Sequence, residues 1–403
     1  MKNKSTKMMK NKSAKSETQF PNLPDHLIVE QILPRLPVKS LIRFKSVSKY
    51  WLSTISSHKF AKLHLEFSSS NTRSLILQEL YKSGKSYGYY LSFDECYNFK
   101  EFVKLEDKFP IFKLRNCYST PDSTYVVDSY NGIVCMYNDQ LRFYLWNPAT
   151  NQCHNTYRPA LGYERPDEVI GLGFGYISSL DDYRIGCVMI CDKELWHVYV
   201  YSLRIGKWKE TSCLNGDYYF PIDRGDFSVL VDDTLYWPPT VPRHENEKSY
   251  IVGLNLVSGK LKKTPLTVVL TGYDYAKVLG TKGYLSLCCV KYEKCSLCVY
   301  DVWMLKQHDD WNSWEKTFSI NMKDTELFYS FETGKCLLSM ETEDKFQIVL
   351  HDPSQVAALE QYEEGAFVWQ GSKNSKFFRY FIGDAWGYVE SLISPFGTTV
   401  SGE

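Results

Sequence analysis

The feature that most constrains the fold is a repeat spaced along the second half of the chain. Trp208, Leu261 and Trp314 follow one another at intervals of 53 residues, and each stands just after an apolar run and a turn. Each unit also has an upstream partner run of the type DDTLYW or TKGYLSL. A period of about 45–55 residues with about four strands per unit is the signature of a β-propeller. We therefore predict an all-β domain over residues 74–395, folded as a propeller of about six blades, with a β-sandwich as the alternative.

The runs that would form these strands are short and rich in β-branched and aromatic residues. They include TYVVDS, LRFYLW, WHVYVYSL and SLCVYDVW. Turn sequences such as Asn131–Gly132 and Ser258–Gly259 separate such runs, as expected for hairpins. The last run, FFRYFIGDAWGYVESL (Phe377–Leu392), is expected to close the ring.

Residues 21–66 have a different, helical pattern. Pro34 and Pro37 interrupt a first apolar segment. Beyond them, apolar residues recur at gaps of three and four, at Leu41, Phe44, Val47, Trp51 and Ile55. This spacing predicts one amphipathic helix, or two helices joined by a bend near Ser46–Ser48. A unit this small buries little apolar surface alone, so we expect it to dock on another protein.

Charge and polarity set the remaining boundaries and exclude several classes of function. Residues 1–20 form a lysine-rich tail that we predict to be disordered, residues 67–73 a polar linker, and residues 396–403 a C-terminal tail. The formal net charge is zero, without the basic footprint of a nucleic-acid binder. No run has the length of a membrane span, and the N-terminus lacks the apolar part of a secretory signal. The 12 cysteines are sparse for a disulfide scaffold, so we expect reduced thiols in the cytoplasm, the nucleus or both.

Two patterns resemble a metal site and a dinucleotide-binding loop, but each is better explained by packing on strands. Cysteines with metal-like spacing occur at Cys288, Cys289, Cys295 and Cys298. The same stretch has the pattern of a hairpin, in which buried cysteines act as small apolar residues. GLGFG (Gly171–Gly175) lacks the spacing of a dinucleotide loop, and its glycines are better explained by close packing in a strand. We predict no catalytic residue, metal or cofactor; an enzyme built on a propeller, such as a copper oxidase, is the competing view.

The helical segment resembles a plant F-box. The resemblance lies in LPDHLIVEQILPRLPVKSLIRFKSVSKYWLSTISSHKFAKLHL (Leu23–Leu65), which matches about fifteen positions of the motif without a gap. The remainder resembles the plant F-box-associated, kelch-like interaction domain through NGIVCM, LWNPAT, GLGFGYISSLDDYRI, VYSLRIGKWKE, DDTLYW and YVESLISP. The chain departs from related repeats, since it has no Gly-Gly or Trp-Asp dipeptide. It also has Asp-Asp in VDDTLYW where the family usually shows Asn-Gly.

This resemblance implies a non-catalytic substrate receptor of a Skp–cullin–F-box ubiquitin ligase, which binds a Skp-family adaptor and, through it, cullin. The adaptor contacts that the motif implies are Leu23, Pro24, Ile32, Leu33, Leu36, Pro37 and Leu41, with Trp51 in support. We expect Trp51, Phe44 and Val47 to belong mainly to the core of the module itself. The alternatives are a Skp complex that does not degrade its partner and a propeller that binds a glycan or small ligand. Pollen self-incompatibility F-box proteins share this two-part layout.

The target protein would bind polar loops at a rim of the propeller. Four segments combine polar and irregular sequence: Tyr157–Glu168, Asn215–Asp226, Pro238–Ser249 and Leu305–Trp314. Aromatic and charged side chains in such loops are typical of binding hot spots. The candidate target-binding residues are Tyr163, Arg165, Tyr218, Tyr219, Arg243, His244 and Trp311.

Overall fold

The computed structural model describes most of the helical and strand-rich parts of the chain. The described residues are 23–68, 74–80, 86–93, 99–104, 108, 124–138, 140–159, 168–192, 195–215, 228–242, 244, 247–268, 270–281, 283–293, 297–323, 325–330, 335–341, 345–351, 367–372 and 385–396. The predicted N-terminal tail and residues 397–403 lie outside them.

The helical module (residues 23–68) consists of short helices. They are α1 (Asp25–Leu27), which continues as a π-helical turn (Ile28–Ile32) and a 3-10 turn (Leu33–Arg35), then α2 (Val38–Phe44), α3 (Lys49–Ile55) and α4 (His58–Ser68). The prediction of two helices joined by a bend is confirmed, because Lys45–Ser48 separate α2 from α3. Ser48 caps α3, and its hydroxyl oxygen accepts a hydrogen bond from the Trp51 amide at 3.1 Å.

The module has an apolar core that is continuous with a buried cluster of the strand-rich domain. Its buried members are Leu33, Val38, Leu41, Ile55, Phe60 and Ala61. Phe44 and Trp51 pack edge to face beside them, with ring centroids 5.6 Å apart. The core assignment of Val47 is wrong, since 60% of this residue is exposed. Val47 lies in the turn after α2, where the chain leaves the helical spacing that aligned it with Leu41 and Phe44.

The rest of the described chain forms 24 strands in six four-stranded sheets. The sheets have the strand orders β24-β1-β2-β3, β4-β5-β6-β7, β8-β9-β10-β11, β12-β13-β14-β15, β16-β17-β18-β19 and β20-β21-β22-β23. The strands are β1 (Ser74–Leu80), β2 (Ser86–Phe93), β3 (Phe99–Lys104), β4 (Thr124–Tyr130), β5 (Ile133–Asn138), β6 (Arg142–Asn147), β7 (Gln152–Tyr157), β8 (Glu168–Ile177), β9 (Asp182–Asp192), β10 (Leu195–Ser202), β11 (Lys207–Asn215), β12 (Val229–Val231), β13 (Thr234–Trp237), β14 (Tyr250–Asn255), β15 (Leu261–Pro265), β16 (Tyr275–Thr281), β17 (Tyr284–Tyr292), β18 (Leu297–Leu305), β19 (Trp314–Lys323), β20 (Thr325–Ser330), β21 (Cys336–Glu341), β22 (Lys345–His351), β23 (Phe367–Ser372) and β24 (Ala385–Tyr388).

The sheets are arranged in a closed ring. One terminal strand of each sheet contacts the corresponding strand of the next sheet, in the order β24, β4, β8, β12, β16, β20 and back to β24. A β-sandwich would instead pack two sheets face to face. The structure is therefore a β-propeller, with the six strands of this series around its centre.

The ring is closed by pairing the last strand with the first. Strand β24 runs antiparallel to β1, with Tyr388 opposite Ser74 and Trp386 opposite Ile76. The predicted closing role is thus confirmed for the described part of the final run. After β24, a C-terminal strap (residues 389–396) contacts the sheet β4–β7, where the Asn147 amide donates hydrogen bonds to the carbonyl oxygens of Ser391 at 3.0 Å and Ile393 at 2.7 Å.

The 53-residue repeat marks the start of the outermost strand in three consecutive sheets. Trp208, Leu261 and Trp314 lie at or next to the start of β11, β15 and β19. Trp208 packs against Phe143 of the preceding sheet, with ring centroids 5.4 Å apart. Trp314 shares a buried cluster with Val231, also of the preceding sheet. The repeat therefore reflects one bulky side chain per unit that joins consecutive sheets.

The glycine-rich run lies on β8, and its glycines allow close packing, as predicted. A Cβ atom at Gly173 would lie 2.6 Å from Leu235 Cδ1, and one at Gly175 would lie 2.5 Å from Leu230 Cδ2. Both leucines belong to the next sheet. Side chains at these glycines would push the two sheets apart.

Candidate functional site

Large apolar side chains are exposed on the helical module far more densely than on the propeller. Eight of the 14 exposed large apolar residues in the described chain lie in this short segment: Leu23, Leu27, Ile32, Ile42, Val47, Tyr50, Leu52 and Phe67. We call these eight residues the helical apolar surface. The module already has a buried core, so this surface is left over for a partner.

The structure separates the predicted adaptor contacts into three groups. Leu23, Pro24, Ile32 and Pro37 are exposed, and Leu36 and Trp51 are half-buried. Leu33 and Leu41 are 1% and 0% exposed. The prediction that Leu33 and Leu41 contact the adaptor is wrong, because both side chains are buried in the core of the module and present no surface to a partner.

Sequence reasoning missed several exposed members of the helical apolar surface. Leu27, Ile42, Tyr50 and Leu52 are exposed but were not predicted as contacts. A signal was present in the sequence, because Ile42 and Leu52 immediately follow Leu41 and Trp51, which belong to the apolar stripe with helical spacing. An ordinary amphipathic helix carries polar residues at positions beside its stripe, so apolar residues there indicate a second, external contact.

His64 joins two parts of the helical module. Its side chain is buried, and Nε2 donates a hydrogen bond to the Leu36 carbonyl oxygen at 3.0 Å. Burial lowers the pKa of His64, against the opposing effect of this hydrogen bond. The imidazole is therefore neutral in the folded module at neutral pH.

We expect acidification to destabilise the helical module through His64. Since its folded-state pKa lies below the unfolded value of about 6.5, the unfolded chain binds more protons as the pH falls through that value, and stability is lost. Hydrogen exchange of α2–α4 should be faster at pH 5.5 than expected from the intrinsic exchange rates. In a His64→Gln variant, which keeps a donor but does not titrate here, the change should be smaller; an equal change would contradict the assignment.

The helical module lies on one face of the propeller. Lys62 and His58 of α4 contact Asp181 in the turn between β8 and β9, at 2.6 Å and 3.2 Å. The strands within each sheet are antiparallel, so successive connections alternate between the two faces of the ring. We call the face opposite the β8–β9 turn the open face.

The four predicted target-binding segments divide between these faces. The strand ends that bound Tyr157–Glu168, Asn215–Asp226 and Pro238–Ser249, between β7 and β8, β11 and β12, and β13 and β14, lie at the open face. Leu305–Trp314 spans the β18–β19 connection and belongs to the face that carries the helical module. The topology thus brings the strand ends that bound three of the four segments to one face, while residues 160–167, 216–226, 243, 245 and 246 of these segments lie outside the described residues.

Only two of the predicted target-binding residues lie in the described chain. Tyr163, Arg165, Tyr218, Tyr219 and Arg243 lie outside it. His244 is exposed. Trp311 is half-buried and packs against Tyr236 and Trp314, with ring centroids 6.1 Å and 6.3 Å apart. Trp311 therefore joins two sheets, whereas His244 is available to a partner.

The described cysteines of the predicted hairpin are packing residues. Cys288, Cys289 and Cys298 are buried in apolar clusters on β17 and β18, and Cys295 lies outside the described residues. Burial raises the pKa of the Cys289 thiol to about 12, with Asp301 adding to the effect. Within the described chain, no group of three or more His, Cys, Asp or Glu side chains could hold a metal ion. Among its helices, none is long and apolar enough to cross a membrane.

Comparison with known families matches both parts of the chain. Residues 20–63 match the F-box domain, and residues 87–395 match the F-box associated beta propeller domain. The chain belongs to the F-box proteins with an F-box associated propeller. The helical module is thus the F-box, and the ring of sheets is its associated domain.

Several curated proteins from Arabidopsis thaliana are similar to this chain. An F-box/kelch-repeat protein is 28% identical over 306 residues, which cover 74% of this chain and 79% of the relative. F-box protein CPR1 is 24% identical over 353 residues, covering 78% of each chain. Among solved structures, the β-propeller domain of the Trilobed protease from Pyrococcus furiosus is 13% identical, with a TM-score of 0.34, and the match covers 58% of this chain and 69% of that one.

Proposed function

We propose that this F-box protein is the substrate-recognition subunit of a Skp–cullin–F-box ubiquitin ligase. The helical apolar surface binds the Skp-family adaptor, and the open face of the propeller captures a target protein. The observation that carries the proposal is the pairing of these two surfaces on one chain. The F-box leaves eight large apolar side chains exposed although its buried core is already packed with that of the propeller, and it lies on one face of the ring.

The chain would act by proximity rather than by chemistry of its own. Holding a target near a ubiquitin-charged enzyme makes the attack by a target lysine effectively intramolecular. Ubiquitin carriage through a thioester needs an accessible thiolate. Six described cysteines, Cys135, Cys187, Cys288, Cys289, Cys298 and Cys336, are buried, and Cys153 is half-buried. The burial of these six thiols supports a receptor role for this part of the chain.

A partner survey in plant cells tests this function. The full chain, tagged, is compared with an Ile32→Asp variant, since Ile32 is exposed and its replacement leaves the core intact. We expect wild type to retain the Skp adaptor and cullin, and the variant to lose both. Retention of the adaptor without cullin would favour the Skp complex that does not degrade its partner.

The same survey defines the target by its dependence on each surface. A genuine target should be retained by both proteins, because the open face is untouched in the Ile32→Asp variant. It should carry ubiquitin chains only with wild type when the proteasome is inhibited. A captured protein whose ubiquitination is the same with both chains would contradict the receptor role.

A further inference from the structure

One carboxylate of the propeller holds both the F-box and the propeller's central strand. Asp181 Oδ2 accepts hydrogen bonds from Lys62 Nζ at 2.6 Å and from His58 at 3.2 Å, both on α4. Its other oxygen accepts a hydrogen bond from the Tyr176 hydroxyl at 2.8 Å, on β8. One carboxylate oxygen therefore binds the F-box and the other binds the propeller, so that Asp181 connects α4 to β8, the innermost strand of its sheet.

The carboxylate is ionised and held in a defined position. Partial burial opposes ionisation, but the hydrogen bonds from Lys62, Tyr176 and His58 lower the pKa of Asp181 to about 2. Its backbone φ is +49°, in the left-handed region that aspartate adopts more readily than most residues. The turn thus points this one side chain at α4 at neutral pH.

A shared buried cluster and an electrostatic interaction also show that the F-box is docked on the ring. Core residues of the module, including Leu41 and Phe60, belong to the same buried cluster as Leu392 and Ile393 of the C-terminal strap. The charge of Lys39 on α2 also acts on Glu390 of the strap, where it opposes the rise in pKa that burial causes. The interface therefore extends from the β8–β9 turn to the point of ring closure.

We infer that Asp181 is a positioning residue that fixes the orientation of the F-box on the propeller. Ion pairs of this exposure contribute little to stability; Lys62 and Asp181 side chains are 38% and 36% exposed. A directional contact that joins three groups from two domains instead selects one arrangement. The consequence rests on the proposed function: a fixed orientation sets the distance between the adaptor and a target on the open face.

The orientation can be measured without adaptor or target. Spin labels, introduced as an unnatural amino acid to spare the native cysteines, are placed at exposed Ser53 in the F-box and exposed Lys260 in the propeller. Pulsed electron paramagnetic resonance on the full chain should give one narrow distance distribution. In Asp181→Gly, which keeps the left-handed backbone without strain, we expect a measurably broader distribution, because the remaining apolar contact with the strap is non-directional and the directional contact beside it is lost.

Matched variants separate positioning from general loss of structure. Asp233→Gly makes the same change at another left-handed aspartate, with φ +59°, in the β12–β13 turn; its distribution should stay narrow. Lys62→Met should broaden the distribution less than Asp181→Gly does, because His58 still contacts Asp181, and adding Lys62→Met to Asp181→Gly should cause no further broadening. An unchanged width in Asp181→Gly, or equal broadening in Asp233→Gly, would overturn the inference.

Adaptor binding distinguishes failure of this inference from failure of the proposed function. The Asp181→Gly chain should bind the Skp adaptor as wild type does, because the helical apolar surface is unchanged. Narrow distances in every variant, with normal adaptor binding, would overturn only the positioning role. Broader distances in Asp181→Gly, together with a wild-type chain that fails to bind the adaptor, would confirm the positioning role of Asp181 and reject the receptor function.

Discussion

Replacing Asn147 by alanine is expected to lower the free energy of unfolding by about 3 kcal/mol and to loosen the closure of the ring. Asn147 is 0% exposed, and its amide donates to two carbonyl oxygens of the C-terminal strap. Its own side-chain oxygen accepts from the amides of Ala149 and Thr150. Alanine would leave the carbonyl groups of Ser391 and Ile393 without their partner in a buried site.

Asn255 provides the matched control for this change. Its side-chain oxygen accepts from the amides of Val257 and Ser258 in the equivalent turn after β14, but its amide contacts Thr234 rather than the strap. Asn255→Ala should therefore cost only about 1 kcal/mol. Urea denaturation gives both values, and hydrogen exchange in β24 and β1 should increase only for Asn147→Ala. Equal losses in the two variants would contradict the assigned role of the strap.

Introducing acids on the helical apolar surface is expected to abolish adaptor binding. Leu23→Asp combined with Ile32→Asp should weaken the affinity for the Skp adaptor by about 1,000-fold, since two hot-spot losses of about 2 kcal/mol each sum to about 4 kcal/mol. Both residues are nearly half exposed, so the F-box should stay folded. Calorimetric titration measures the affinity, and a thermal melt verifies the fold.

Two further variants serve as controls, one for a charge elsewhere on the surface and one for loss of the fold. Val257→Asp places an acid on a comparably exposed apolar residue of the propeller and should leave the affinity unchanged. Leu41→Asp buries a charge in the core of the module and should unfold it. If the Leu23→Asp, Ile32→Asp chain binds as tightly as wild type, the helical apolar surface is not the adaptor site.

The periodic part of the fold could be predicted from the sequence because each unit repeats a local pattern. The run before Trp208, the turn and the bulky residue all lie within one hairpin, so their roles are visible over a dozen residues. The closing strand could be predicted as well, as an unpaired apolar run at the end of the repeats. The Asn147 turn had a local signal, but its contact with Ser391 joins residues 244 apart, which no local pattern reveals.

The functional surfaces were predicted only in part, for a physical reason. Apolar residues of a small helical module either pack in its core or contact its partner, and the residues of both kinds recur at helical spacing. Leu33 and Leu41 could therefore not be told from Ile32 until the helices were placed around a common core. Asp181 gave no signal, because its partner His58 lies 123 residues away in another domain.

The most direct test of the account is a titration of purified Skp adaptor into the full chain, followed by addition of cullin. We predict saturable one-to-one binding of the adaptor, recruitment of cullin to the complex, and loss of both steps in the Ile32→Asp chain. Failure of the folded wild-type chain to bind the adaptor, or binding that Ile32→Asp leaves unchanged, would contradict it.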